Sequence, residues 1–342
     1  MSLLFMDGFE TTSGSSADLL RKWTNATVTG GSLPTGRISG KAIAGSSTVT
    51  LTKTLSASYA TLVAGCGWKI GSSAPSSLRV ILAFYDSAGS QQVGLYWLTN
   101  GLLAVYAGAG ATLLGTTAVS VTDGMWYYIE FKATIHNTTG AYEVRVNGVN
   151  ILSATGQNTR HASSVLNSAA GVQVGAASAP WTVDDFYICD TAGSVNNDFL
   201  GDIQVYDVLP SGAGSNTNFT PSAGSNYACV DDAAGAVADD DTTYVEHATA
   251  ATRDTYAFAN LPAATTAVKG VQTCILARKT DSGSKTLGDS CKSGVTTSDG
   301  TAASLGVNYQ YLLNIRETDP NTAAAWTLSG FDAAEFGQKV GA

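Results

Sequence analysis

The chain has 342 residues, of which 13% are charged, and its net charge is −9. This length favours two domains that each bury a core, and the low charge together with 37 glycines favours short strands separated by turns. Because no cluster of Lys or Arg is present, nucleic acid is excluded as a partner, and because no run approaches ~18 apolar residues, membrane insertion is excluded as well.

The first 200 or so residues consist of short apolar runs bounded by Gly, Ser, Pro and Asn. Runs spaced by about 8 to 12 residues predict the strands of a β-sandwich or barrel. No long amphipathic helix is predicted in this part of the chain. In chain order the predicted strands are LFMDGFE, Thr48–Leu55, Thr61–Ile70, Ser77–Asp86, Gln91–Leu98, Leu102–Gly108, the two halves of Asp123–Leu152, AAGVQVG and Trp181–Asp190.

The stretch DGMWYYIEFKATIHNTTGAYEVRVNGVNIL, from Asp123 to Leu152, alternates apolar and polar residues on both sides of NTTG. A turn at these four residues places Phe131 opposite Val146 and Ala133 opposite Val144, all facing the core. The alternation then points a second set of residues away from the core, namely Tyr128, Glu130, Lys132, Glu143 and Arg145.

The segment Leu209–Asn226 is rich in Gly, Ser, Asn and Pro, which is typical of a linker or a long connection. We therefore predict a domain boundary near residue 208, with one domain over 1–208 and a second over 209–342. Further strands are predicted in DTYAFANL, AVKGVQTCILARKT, SKTLGDSCKS and YQYLLNIRET, and one short helix near the C-terminus, where Ser329 would cap GFDAAEF. The predicted fold class is all-β, with two tandem β-sandwich domains.

The segment CILARKTDSGSKTLGDSC predicts a hairpin with Ser282 and Gly283 in a two-residue loop. In this register Cys274 lies opposite Cys291, within reach of a disulfide after a little local closing. The alternative is that both cysteines are small buried residues with free thiols. This alternative is slightly favoured for a chain made in a reducing cytoplasm.

Candidate metal ligands are found in the run CVDDAAGAVADDDTTYV. Calcium takes six to eight oxygen ligands, which such a loop can supply. The spacing of a calcium-binding loop is absent, however, and acidic runs are usually solvated. A zinc site is not predicted, because the five Cys form no CxxC pair. The candidate calcium ligands are Asp231, Asp232, Asp239, Asp240 and Asp241.

Aromatic residues are the candidates for sugar binding, because an aromatic face complements the C–H-rich face of a pyranose ring. Each of them has the alternative of packing in the core, since large aromatic residues are highly buried on average. The candidates are Trp97, Tyr96, Tyr106, Tyr128 and Trp181.

Catalysis is not predicted. Glycoside hydrolysis needs two carboxylates about 5 to 9.5 Å apart, and the predicted hairpin separates Glu130 from Glu143 by four residues, or roughly 13 Å. The three His are scattered along the chain and no G-x-S-x-G motif is present.

The arrangement WYYIEF followed by VRVNG resembles the signature hairpin of laminin-G-like and concanavalin-A-like jelly rolls. LFMDGFE and VDDFYICD lie where such domains have their first and near-last strands, so the resemblance covers roughly residues 1–205. It implies a concanavalin-A-like jelly roll as the first domain. This fold carries enzymes, lectins and spacers alike, so the resemblance assigns no activity.

The second half, including DFLGDIQVYDVLPSGAGSNTNF, DTTYVEHATAATRDTYAFANLP and DPNTAAAWTLSGFDAAEFGQKV, resembles the C-terminal part of tailed-bacteriophage virion proteins that follow a laminin-G-like domain. This resemblance implies a tail-tip, fibre or capsid-decoration component that contacts other virion proteins. It also implies a homo-oligomer, with a trimer as one candidate. No residue-level chemistry follows from it.

The expected function is therefore that of a non-enzymatic virion component. The alternative is a carbohydrate-binding adhesin that recognises a glycan on the host surface. The start, MSLLFMDGFE, lacks the basic and apolar regions of a signal peptide. We therefore expect synthesis in the host cytoplasm and a final location in the virion.

Overall fold

The computed structural model describes residues 2–71, 75, 77–175, 180–232 and 237–341. It divides into two compact units, Met1–Val205 and Tyr206–Ala342, where the sequence led us to expect a boundary near residue 208. Strands dominate both units, and in the described residues no helix is long and apolar enough to cross a membrane.

The first unit contains fourteen strands and one short helix within the described residues. The strands are β1 (Leu3–Asp7), β2 (Asn25–Thr29), β3 (Ile43–Gly45), β4 (Thr48–Tyr59), β5 (Thr61–Ile70), β6 (Arg79–Tyr85), β7 (Gln91–Trp97), β8 (Leu102–Ala107), β9 (Thr112–Ser120), β10 (Trp126–Thr134), β11 (Gly140–Val146), β12 (Val149–Gln157), β13 (Ala169–Val174) and β14 (Trp181–Asp190). Helix α1 (Ser16–Leu19) was not predicted; Ser15 caps it by accepting a hydrogen bond from the Asp18 amide.

These strands form two antiparallel sheets of seven strands. The first sheet has the order β1-β14-β5-β10-β11-β12, with β3 also paired to β14, and the second has the order β2-β4-β13-β6-β7-β8-β9. The sheets pack through aromatic side chains: Phe84 of the second sheet stacks on Phe131 of the first, with ring centroids 5.1 Å apart. The predicted all-β sandwich class is confirmed.

The β10–β11 hairpin has a different register from the one predicted. Phe131 lies opposite Val144 and Ala133 opposite Tyr142, a shift of two residues. The connection spans residues 135–139 and is therefore longer than a two-residue turn. Within it, the His136 ring nitrogen Nδ1 accepts hydrogen bonds from the amides of Thr138 and Thr139. A shift of two residues leaves every side chain on its predicted face, since side chains alternate with a period of two.

Burial of the hairpin agrees with the prediction on the core side and disagrees on the other. Phe131, Ala133 and Val144 are buried as expected, and Val146 is half-buried. Glu130 was expected to be exposed but is fully buried. The prediction failed because the segment after β14 runs over this face of the sheet, where the Gly201 amide donates a hydrogen bond to Glu130 Oε1.

The second unit contains ten strands and one short α-helix within the described residues. The strands are β15 (Pro210–Thr217), β16 (Thr220–Pro221), β17 (Val245–Glu246), β18 (Arg253–Phe258), β19 (Val271–Ala277), β20 (Thr286–Ser293), β21 (Thr296–Asp299), β22 (Ala303–Ser304), β23 (Gln310–Arg316) and β24 (Glu335–Val340); the helix is α2 (Leu328–Asp332), and a 3-10 helix spans Asn226–Cys229. A short C-terminal helix is present as predicted, but Thr327 caps it rather than Ser329, and Glu335 and Phe336 of the predicted segment belong to β24.

A six-stranded sheet, β15-β18-β24-β20-β21 with β22 paired to β20, forms one layer of this unit. The two-stranded sheet β19-β23 packs against it through Ile275 and Leu312, which contact the cluster of Phe219, Leu287 and Val340. A second cluster surrounds Phe336 and includes Trp326 and Phe331. β16 and β17 form a separate pair.

The segment expected to be a linker, Leu209–Asn226, contains strand β15, which pairs with β18. One of its glycines, Gly214, is needed for close approach rather than for flexibility. A Cβ atom on Gly214 would collide with the carbonyl oxygen of Thr255. A Gly-rich composition therefore concealed an edge strand.

The predicted hairpin between β19 and β20 is wrong. Cys274 lies opposite Leu313 of β23, whereas Cys291 lies opposite Phe336 of β24 and Ser298 of β21. The two cysteines belong to different sheets, so the register that would have aligned them for a disulfide does not form. β19 instead pairs with the more distant β23, and β20 lies between the distant β24 and its immediate successor β21.

Candidate functional site

A shallow cleft of about 470 Å³ lies on the outer face of the second sheet of the first unit. Tyr85 of β6 lies opposite Gly171 of β13, which lies opposite Thr54 of β4, so these three positions share one face. Phe84, the neighbour of Tyr85, points to the core and stacks on Phe131. The alternation of the strands thus directs the cleft residues away from the core. The wall also includes Asn25, Thr52 and Gln173.

Tyr85 connects the Gln173 amide, which lines the cleft, to the Gln91 amide, which is buried and does not line it. Its hydroxyl lies 2.8 Å from Gln173 Oε1 and 3.2 Å from Gln91 Oε1, and either oxygen accepts its proton. Gln91 Nε2 donates to the Tyr96 hydroxyl at 2.6 Å. Gln173 Nε2 donates to the Gly175 carbonyl oxygen. The network holds the phenol and both amide groups in fixed orientations.

Burial governs the protonation of the phenols. It raises the pKa of Tyr85 to about 12, and the neighbouring Tyr96 adds to the increase. Burial also raises the pKa of Tyr96, against the lowering effect of the hydrogen bond from Gln91. Both hydroxyl groups therefore keep their protons at neutral pH and act as hydrogen-bond donors as well as acceptors.

Two glycines shape the sheet surface. A Cβ on Gly94 would lie 2.7 Å from Gln91 Nε2 and 3.0 Å from Tyr96 Cε2, so only glycine leaves room for the network. A Cβ on Gly171 would meet nothing closer than the Lys53 carbonyl oxygen at 3.6 Å. Gly171 therefore keeps the floor of the cleft open without being required by packing.

Asp86 closes one end of the cleft. Its Oδ1 accepts hydrogen bonds from the amides of Ala88 and Ser90, and its Oδ2 accepts from Gln92 Nε2 and Ser164 Oγ. Burial tends to raise the pKa of this carboxyl, but the four hydrogen bonds outweigh burial and hold the pKa below its usual value. Asp86 is thus an ionised group with both oxygens engaged by the protein.

The aromatic residues predicted to bind sugar separate into two groups. Trp97 and Trp181 form a core cluster with Trp68, with ring centroids 5.2 to 6.0 Å apart, and Tyr128 is 1% exposed beneath the Arg37 guanidinium. Buried side chains cannot stack on a sugar, so these three positions are corrected. Tyr96 is 3% exposed and is corrected for the same reason. Its ring contacts half-buried Tyr106 edge-on at 5.2 Å, and neither residue lines the cleft.

Tyr85, Gln91 and Gln173 were missed by the sequence analysis. In SLRVILAFYD the alternation that sends Phe84 inward sends Tyr85 outward. The glutamine inside the strand AAGVQV was a second signal, because a polar residue within an apolar strand marks the face away from the core.

The acidic run does not form a metal site in the part of the chain that the structure describes. Asp241 accepts hydrogen bonds from Arg278 and Tyr309. Asp239 accepts hydrogen bonds from the amide and the hydroxyl of Thr243. Within the described ranges no three His, Cys, Asp or Glu are grouped to hold a metal. Residues 233–236, in the middle of this run, lie outside the description. The other predicted calcium ligands are Asp231, Asp232 and Asp240 of the same run. Burial raises the pKa of Asp232, and the neighbouring acidic groups raise it further.

A second polar cluster lies buried on the outer side of the first sheet. Asp185 accepts hydrogen bonds from Arg37 Nε at 3.0 Å and from the Val205 amide, and Asp184 accepts from the Arg37 amide at 2.7 Å. Burial, with repulsion from Asp185 next, raises the pKa of Asp184 to about 7. These contacts attach Arg37 and the segment after β14 to the sheet, so both carboxylates have a structural role.

The observed hairpin register also changes the carboxylate geometry. Glu143 lies opposite Lys132, so it is two residues from the position opposite Glu130 rather than four. Diagonal neighbours of this kind have Cβ atoms roughly 7 to 8 Å apart. The predicted separation of roughly 13 Å between Glu130 and Glu143 is therefore wrong. Glu130 is nevertheless buried, and Glu143 pairs with Arg145 at 2.7 Å.

No protein-family model matches the chain, and no curated protein matches it. Among solved structures it is similar to Trypanosoma rangeli sialidase (15% identity over 48% of this chain and 27% of the sialidase, TM-score 0.35). It is also similar to the cellulose-induced protein Cip1 (14% identity, 46% and 84% coverage, TM-score 0.36) and to alginate lyase vAL-1 from Chlorella virus (9% identity, 56% and 99% coverage, TM-score 0.39).

These comparisons contradict the prediction that the chain is not an enzyme, because two of the three similar structures are enzymes. The exclusion of catalysis is therefore not retained. At these TM-scores and identities the similarity assigns no activity to this chain, and the chain spans about a quarter of the sialidase.

Proposed function

We propose that the first unit binds carbohydrate in the cleft on the outer face of its second sheet. The observation that carries this proposal is the network in which Tyr85 and Gln173, both lining the cleft, are hydrogen-bonded to each other. The buried Gln91 and Tyr96 hold the Tyr85 hydroxyl from inside the protein, so the half-buried Tyr85 ring and the Gln173 amide have fixed orientations. The hydroxyl groups of a sugar form hydrogen bonds with amides and phenols. Its C–H faces pack against aromatic rings.

The preorganisation of the network supports binding. Side chains already held by hydrogen bonds lose little conformational freedom when a ligand binds, which reduces the entropic cost of association. The exposed hydroxyl of Thr54 and the half-buried hydroxyl of Thr52 line the same cleft and extend its hydrogen-bonding surface.

A glycan array followed by calorimetry of the hits tests this proposal. Gly171→Leu fills the cleft from a position where a Cβ meets nothing closer than 3.6 Å, so we expect a folded protein that has lost binding. Thr27→Leu is the matched control, because Thr27 is exposed on the same face of the sheet but does not line the cleft. Tyr85→Phe removes only the hydroxyl, and we expect it to weaken binding about tenfold, as for one hydrogen bond of ~1.4 kcal/mol.

Undiminished binding by folded Gly171→Leu contradicts the proposed location. The absence of specific hits with the wild-type protein contradicts the function itself.

A virion location is the second candidate. It is favoured by the resemblance of the sequence from Asp198 onward to the C-terminal part of tailed-phage virion proteins. In this proposal the second unit contacts other virion proteins and the first unit presents its cleft to a host-surface glycan. Mass spectrometry of purified particles, followed by placement of the chain in a cryo-EM map, tests it. Absence of the chain from the particles contradicts it.

A further inference from the structure

We infer that the cleft selects uncharged glycans and discriminates against sugars that carry a carboxylate. The inference rests on the proposed carbohydrate binding and adds the class of ligand to it. It is carried by the charge of Asp86 at the end of the cleft and by the orientation of the nearest lysine.

The cleft surface offers hydroxyl, amide and small apolar groups to a ligand. Among the described residues that line it, Asp86 is the one with a charge at neutral pH, and none is Lys or Arg. A sugar carboxylate entering the cleft would exchange water for neutral dipoles, and an ion that loses water without gaining a cation is strongly disfavoured.

Asp86 adds repulsion to this desolvation. Its four hydrogen bonds come from the Ala88 and Ser90 amides, Gln92 and Ser164. All four donors are neutral, so they stabilise the ionised carboxylate without cancelling its charge. A second carboxylate in the same cleft therefore meets a net negative field.

Lys53 is adjacent in sequence to two residues that line the cleft, and its side chain points away from the cleft. It lies on β4 between Thr52 and Thr54, whose side chains line the cleft. Its Nζ donates to the Lys22 carbonyl oxygen at 2.6 Å and lies 4.5 Å from the centroid of the Phe5 ring. Because successive side chains of a strand point to opposite faces of the sheet, Lys53 lies on the face opposite the cleft.

Matched oligosaccharides that differ in oxidation at C6 provide the test. We would measure binding of glucan, mannan and galactan tetrasaccharides and of the uronate tetrasaccharides with the same rings and linkages, by calorimetry at low salt. The wild-type protein is expected to bind at least one neutral member, and its uronate counterpart about tenfold more weakly or not at all.

Thr54→Lys places a cation at an exposed position of the cleft wall. We expect this variant to narrow or reverse the preference for the neutral sugar, with an effect that diminishes as salt is added. Thr27→Lys adds the same charge on the same face outside the cleft, and we expect it to leave the preference unchanged.

Equal or tighter binding of the uronate by the wild-type protein overturns the inference. If Gly171→Leu abolishes that binding, the proposed function stands and only the selectivity is wrong. If the wild-type protein binds neither member of any pair, both the function and the selectivity are wrong. An equal effect of Thr27→Lys and Thr54→Lys also overturns the inference, because the discrimination would then not arise in the cleft.

Discussion

The hydroxyl of Tyr187 donates a 2.5 Å hydrogen bond to Glu130 Oε1, the same oxygen that accepts from the Gly201 amide. The pair joins β14 to β10 across β5 and attaches the segment that follows β14. Burial raises the pKa of Glu130 even though both hydrogen bonds oppose the increase. The carboxyl group therefore acts as an acceptor for the overlying segment, and its charge is not what stabilises the fold.

This role predicts a difference between two substitutions of Glu130. Glu130→Gln keeps an acceptor oxygen and removes the buried charge, so we expect its free energy of unfolding at neutral pH to lie within about 1 kcal/mol of wild type. Glu130→Ala leaves the Tyr187 hydroxyl proton and the Gly201 amide without their acceptor, at a cost of about 1–3 kcal/mol for each buried donor. Urea unfolding measures both. A larger loss for Gln than for Ala would show that the charge is required.

The raised pKa of Asp184 predicts a pH dependence of stability. Burial and Asp185 raise this pKa from the ordinary value of 3.8 to about 7, so between these values the folded state holds a proton that the unfolded chain has released. The free energy of unfolding should therefore fall as pH rises from about 4 to about 7, by at most about 1.4 kcal/mol per pH unit, and level off above this range.

Urea unfolding of wild type and Asp184→Asn at a series of pH values checks this dependence. The variant cannot titrate at this position, so its slope over the same range should be smaller. Identical slopes would mean that Asp184 does not hold the proton.

Two glycines of β15 form a matched pair for testing the edge strand. A Cβ on Gly214 would collide with the Thr255 carbonyl oxygen, whereas a Cβ on Gly212 meets only the Ala257 Cβ at 3.8 Å. We expect Gly214→Ala to destabilise the second unit by about 1–3 kcal/mol and Gly212→Ala to change its stability by less than about 0.5 kcal/mol. Equal effects in thermal unfolding would argue against the β15–β18 pairing.

Cys66 and Cys291 should be unreactive in the folded protein. Burial raises the pKa of the Cys291 thiol to about 12 and that of Cys66 further, and the thiolate is the reactive form. Iodoacetamide at mildly alkaline pH should modify these two residues slowly in buffer and rapidly in urea, as measured by peptide mass spectrometry. A Cys274–Cys291 disulfide peptide from the folded, non-reduced protein would contradict the observed strand pairing.

Local sequence patterns sufficed for many of the strands. The runs Thr61–Ile70 and Trp181–Asp190 are strands with the predicted bounds, because β-rich segments bounded by turn residues are recognisable over a short window. The burial of Phe131 and Val144 also followed from alternation alone. It survived an error in the hairpin register because a shift of two residues preserves the faces.

What the sequence by itself determined was therefore many of the strands and their inward faces, since both depend on a period of two that is visible in a few residues. Only the tertiary structure decided which strands are neighbours: β19 pairs with β23 and not with β20, and β15 is an edge strand rather than a linker. It also decided that Glu130 is covered by a segment about seventy residues later in the chain, and that the cleft is assembled from β2, β4, β6 and β13. These outcomes depend on contacts between distant residues, whose choice of partner leaves no periodic signal in either strand alone.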